Sequence, residues 1–133
     1  MTTVFADSYY YLAQVNERDE GHANAVDFAK TFRGHTVTTE WILTEVADAL
    51  AQSQKRGAFL QILEEDQNDP QTTIVEASHR LFTHGVELFK SRSDKNWSLT
   101  DCISFVVMKK QGIREALTAD HHFLQAGFVA LLM

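Results

Sequence analysis

Short β-branched or apolar runs alternate with longer stretches of helical periodicity along this chain, and that alternation most restricts its fold. Residues 3–6 (Thr-Val-Phe-Ala), 36–38 (Thr-Val-Thr), 72–75 (Thr-Thr-Ile-Val), 116–118 (Ala-Leu-Thr) and 128–132 read as strands. Between them, residues 9–15, 22–32, 41–52, 77–89 and 99–110 space their apolar positions as one face of a helix requires. Gly34 is read as ending the second of these helices. A further helix is expected from Phe59 to about Glu65, with Gly57 breaking the pattern before it, and a short one at 121–125. Strands separated by helical crossovers pair in parallel and need both faces covered. The expectation is therefore a three-layer α/β/α sandwich around a mostly parallel central sheet. It forms one domain over residues 1–133, because a single proline, Pro70, and no Pro/Gly/Ser-rich linker leave no boundary.

Such sheets bind ligands outside the carboxyl ends of their strands. Two acids fall there directly: Asp7 follows the first strand and Asp120 the fourth. Asp101 lies in the first turn of a nearly all-apolar helix, on the face of Phe105 and Met108. Glu45 flanks the apolar stripe of the 41–52 helix. Each has an ordinary reading. Asp7, Ser8 or Asp120 can cap the helix that follows, Ser98-Leu99-Thr100-Asp101 matches a capping box, and Glu45 can be a solvated flank. Their joint placement is more telling. Carboxylates gathered at one sheet edge repel unless a cation neutralises them. Mg²⁺ or Mn²⁺, hard ions that take oxygen ligands, suits such a cluster.

The formal charge of −6 argues against binding nucleic acid through a basic surface. It does not argue against a metal site, since carboxylates that hold a divalent ion count as negative although the loaded site attracts phosphate. Cys102 is the single cysteine, which excludes an internal disulfide and a cysteine zinc cage and fits a reducing compartment. No apolar run approaches the roughly 20 residues of a membrane helix, and the N-terminus lacks signal-peptide features, so a cytoplasmic location is expected. His121 and His122 are read as surface or capping residues, because adjacent helical positions point in different directions. Trp97 is read as a packing residue, and Tyr9 to Tyr11 as packing under the sheet or at a dimer contact.

Four segments together resemble the PIN-domain family of nucleases, and the resemblance runs over nearly the whole chain. They are V-F-A-D-S-Y-Y-Y-L-A, T-T-E-W-I-L-T-E-V-A-D-A-L, W-S-L-T-D-C-I-S-F-V-V-M and A-L-T-A-D-H-H-F. On that resemblance the acids of the family's site are Asp7, Glu45, Asp101 and Asp120, serving both catalysis and metal binding. Asp94, in S-D-K-N-W, is similar to a recurrent acid of bacterial members and is a secondary candidate. Ser8 and Thr118 lie beside site acids, where their hydroxyls can orient a carboxylate, although capping and strand packing are their ordinary roles. The resemblance implies Mg²⁺ or Mn²⁺ as cofactor and hydrolysis of RNA phosphodiester bonds. Compact members are VapC-type toxins, which implies a homodimer and a cognate antitoxin. The alternative is a non-catalytic nucleic-acid- or partner-binding module on the same fold.

Overall fold

The computed structural model describes residues 2–133; Met1 of the expected 1–133 unit lies outside the described residues. In chain order the elements are β1 (Thr3–Ala6), α1 (Ser8–Val15), α2 (His22–Thr31), β2 (His35–Thr39), α3 (Glu40–Ala49) and α4 (Arg56–Asn68). They continue with β3 (Thr72–Val75), α5 (His79–Ser91), α6 (Leu99–Gln111), β4 (Glu115–Leu117), α7 (His121–Gln125) and β5 (Val129–Ala130). The sheet has the order β3-β2-β1-β4-β5 with every pair parallel. The chain builds outward from β1 through β2 to β3, then returns to lay β4 and β5 on the other side. Strand order thus reverses between β1 and β4, and a crevice opens at their carboxyl ends.

The crossovers between these parallel strands distribute the helices over both faces. In one layer α1 packs on α2 and α3, and α3 on α4; in the other α5 packs on α6 and α6 on α7. This is the α/β/α sandwich expected from the alternating pattern. As the central strand, β1 is covered on both faces, so Val4, Phe5 and Ala6 are all buried. The near-continuous apolar run of α6 is explained in the same way: Cys102, Ile103, Ser104, Phe105, Val107 and Met108 are buried. Gly85 lets α5 approach α6 closely, since a Cβ there would lie 2.4 Å from Ile103 Cγ1. Gly112, at φ 68°, ends α6 in the left-handed conformation that glycine adopts without cost.

Several boundaries differ from those read in the sequence. Gly57 does not break a helix but lies in the first turn of α4, where a helix has few internal hydrogen bonds to lose. The helix runs on to Asn68 through a polar turn that carries no apolar signal. Helix α2 ends at Thr31, before Gly34. Gly34 serves instead a close crossing of chains, because a Cβ there would lie 2.2 Å from the Thr2 carbonyl oxygen. The last strand shrinks to Val129–Ala130 at the sheet edge. Among the described residues no helix is long and apolar enough to cross a membrane.

Candidate active site

Asp7 stands at the carboxyl end of the central strand, on the edge of the crevice. It occupies the N-cap position of α1, yet its side chain makes no capping hydrogen bond. Instead its carboxylate, in a residue only 5% exposed, accepts a hydrogen bond from Thr118 Oγ1 at 2.7 Å. Thr118 follows β4, the neighbour of β1, and its Oγ1 also accepts from the Asp120 backbone N–H at 3.0 Å. One buried hydroxyl therefore ties together the loops after two adjacent strands. On the other side Ser8, the first residue of α1, donates its hydroxyl to Glu45 Oε1 on α3. The orienting role of these two hydroxyls prevails over capping by Ser8 and plain strand packing of Thr118.

Asp101 enters from α6. Ser98 and Asp101 form a complete capping box, with Ser98 Oγ accepting from Asp101 N at 3.0 Å and Asp101 Oδ2 accepting from Ser98 N at 3.1 Å. The same Oδ2 meets His122 Nδ1 at 3.0 Å. Asp120 caps α7 by accepting the His122 backbone N–H at 2.9 Å. In both Asp101 and Asp120, then, the hydrogen bond that starts the helix also fixes the carboxylate, and His122 Nδ1 lies between the two.

The electrostatics follow from this crowding. The Asp7 carboxyl is pushed up from 3.8 to about 7. Burial is the largest cause; the hydrogen bonds from Thr118 and the Ser8 backbone pull it down, and the charges of Asp101 and Glu45 push it up again. Like charges are thus brought close enough to be felt across three elements. Carboxylate oxygens beside a desolvated aspartate are of the kind a hard divalent ion such as Mg²⁺ or Mn²⁺ takes, but among the described residues no three of Asp7, Glu45, Asp101 and Asp120 bring ligand atoms within 4.8 Å of one another, so an ion would have to draw them together.

His122 corrects the sequence reading. Its ring is not a surface or capping group: Nδ1 contacts Asp101 and also lies 3.5 Å from Asp120 Oδ1. The full burial of Phe123 fixes which way this short helix turns. His121 is exposed, with Nδ1 3.7 Å from Asp120 Oδ1.

Asp94 is engaged elsewhere. Its carboxylate accepts from Arg92 Nε at 3.0 Å and Nη2 at 3.1 Å, and Lys95 lies 3.9 Å away. The Arg92 hydrogen bonds hold this exposed carboxyl below its usual range. No hydrogen bond joins Asp94 to the other four acids among the described residues. Trp97 is buried, donates Nε1 to Gln125 Oε1 at 3.0 Å and packs edge-on against Phe105, as a core residue does. Tyr11 is buried too, donating its hydroxyl to Asp66 at 2.7 Å.

Comparison with known proteins gives a consistent frame. The family model of the PIN domain matches residues 7–129. VapC20 of Mycobacterium tuberculosis, a sarcin–ricin-loop-cleaving toxin, superposes with a TM-score of 0.85 at 24% identity, covering 95% of this chain and 96% of that one. VapBC2 of Rickettsia felis, solved bound to a promoter DNA fragment, gives 0.67 at 12% identity over 97% of both chains. FitAcB of Neisseria gonorrhoeae gives 0.65 at 12% identity over 96% and 94%. At these identities the likeness is one of fold. None of the curated protein sequences matches the chain.

Proposed function

This chain belongs to the PIN domain family, and on that premise we propose that it is a divalent-metal-dependent endoribonuclease. The observation that carries the reading is Asp7: a buried carboxyl that caps nothing, pressed by Glu45 and Asp101. A module whose acids were only helix caps has no use for it.

Asp7, Glu45 and Asp101 are the residues to hold Mg²⁺ or Mn²⁺, with Asp120 completing the cluster. Bound there, the ion supplies Lewis acidity toward the scissile phosphate and a water nucleophile at neutral pH. The chain's own groups keep the cluster rigid. Thr118 fixes Asp7, Ser8 fixes Glu45, and Ser98 with His122 fixes Asp101. The proton of the attacking water goes to Glu45 or Asp120. Each of these keeps a second carboxylate oxygen that accepts no hydrogen bond among the described residues.

We further propose that the whole of 1–133 is one nuclease domain acting in the cytoplasm as a homodimeric toxin, silenced by a cognate antitoxin. Similarity to a VapC toxin and to VapBC2 and FitAcB supports this role. Asp7→Asn and Asp101→Asn are expected to abolish Mn²⁺-dependent RNA cleavage while circular dichroism stays native. Full activity in either variant sinks the site assignment.

A further inference from the structure

Beside the carboxylates already described we infer a second cation site, made of Asp120, His121 and His122 and suited to Zn²⁺ or an ion of its class. Its donor atoms already converge. His122 Nδ1 lies 3.0 Å from Asp101 Oδ2 and 3.5 Å from Asp120 Oδ1, and His121 Nδ1 lies 3.7 Å from Asp120 Oδ1. One ligand atom from each of Asp120, His121 and His122 falls within 4.8 Å of the others. A tetrahedral ion with ligands at roughly 2.0–2.2 Å sets neighbouring donors about 3.3–3.6 Å apart. The two histidine–Asp120 separations lie at and just above that range, so a small adjustment of side chains closes a two-nitrogen, one-oxygen site with the fourth position left to water.

The adjacency of the two histidines does not prevent this. Helix α7 is only five residues long, and the two rings meet with centroids 4.6 Å apart. Both turn Nδ1 toward the same Asp120 oxygen, which the His122 backbone N–H holds in place at 2.9 Å. Imidazole ligands select borderline ions such as Zn²⁺ over Mg²⁺, which takes oxygen. Asp120 is thus common to both donor sets, and His122 joins it to Asp101.

The site itself is independent of the nuclease reading; its effect on cleavage rests on that reading. Zn²⁺ claims Asp120 and draws His122 away from Asp101, and so is expected to inhibit Mn²⁺-dependent cleavage. Calorimetric titration of the full chain with Zn²⁺ alone, without RNA, is expected to show one ion per chain. His121→Ala and His122→Ala are each expected to weaken Zn²⁺ binding about tenfold or more. His121 is exposed, so its removal leaves the fold intact by circular dichroism and leaves Mn²⁺ affinity unchanged. X-ray absorption of the Zn²⁺-loaded wild type should show imidazole scattering. An all-oxygen shell, or Zn²⁺ affinity indifferent to both substitutions, overturns the proposal. A chain that binds Zn²⁺ through both histidines yet cleaves no RNA supports the site and removes only the nuclease reading. In a chain that does cleave, His121→Ala should relieve Zn²⁺ inhibition.

Discussion

At the scale of single residues, Asp7 sets function against stability. In the unfolded chain its carboxyl ionises near 3.8, and in the ion-free fold near 7. Between those values the fold keeps a proton that the unfolded chain has released. Its contribution therefore falls as pH rises through that window, and above it the full penalty, on the order of a few kcal/mol, stands. Asp66, raised to about 6 chiefly by burial beside Tyr11, acts with the same sign. The ion-free protein is thus expected to melt at a higher temperature at pH 5 than at pH 8. Asp7→Asn should raise the melting temperature at pH 8 and flatten the pH dependence. Mn²⁺ should stabilise the wild type there and not the variant. A variant as pH-sensitive as the wild type shows that Asp7 is not the source of the slope. The position of Asp7 was legible, because a strand end is a local feature. Its hydroxyl partner was not: Thr118 is 111 residues away in sequence, and Ser8 and Glu45 are 37 apart. Whether a threonine packs in a strand or bonds to a carboxylate is decided by tertiary contacts of that range. His122 escaped for a related reason, since α7 is too short for helical periodicity to say which residue faces α6.

At the scale of elements, α6 carries more buried residues than any other helix and one candidate site acid, and its seat depends on α5. The helix itself was plain from its apolar run, capping box and terminal glycine. Its closest neighbour was not, because Gly85 looks like a helix weakness until Ile103 is seen against it. Alanine at this position gains up to about 1 kcal/mol of helix propensity. It also forces a methyl into Ile103, and overpacking of this kind costs about 1–3 kcal/mol. Gly85→Ala is expected to lower the melting temperature in chemical or thermal unfolding. Ile103→Ala, added to it, should recover part of the loss by removing Cγ1. A Gly85→Ala variant more stable than the wild type shows that α6 can move away, and that the close contact does not fix Asp101. Helix α4 shows the opposite failure of sequence reading. Its polar last turn has no periodic signal, and Asp66 is held there by Tyr11 from another element.

At the scale of the whole molecule, the parallel sheet followed from alternation alone, because period and length of the segments survive without knowledge of their neighbours. The strand order did not follow from any local feature; it needs the crossover rule and the observed pairing. The charge of −6 has its consequence here as well. Several of the chain's cations are already engaged: Arg92 and Lys95 face Asp94, and Lys110 contacts His84. On the proposed nuclease reading, RNA binding is expected to depend on the divalent ion to invert the local field. Fluorescence anisotropy with a single-stranded RNA is expected to show affinity at least tenfold weaker in EDTA than in Ca²⁺, roughly 1.4 kcal/mol or more. Equal affinity in both would place RNA recognition on protein side chains alone.

The central place of β1 has one more consequence, in time rather than in space. Of the five strands, β1 is synthesised first yet is the middle of the finished sheet, and its Asp7 waits for Thr118, 111 residues later. Translation proceeds from the N-terminus at about 5–20 residues per second, so β1 with α1 to α4 is exposed for seconds before β4 arrives. During that interval the proposed site lacks two of its four acids, Asp101 and Asp120. If the chain is the nuclease proposed, this topology leaves it harmless to the RNA that encodes it until α6 and α7 have been made.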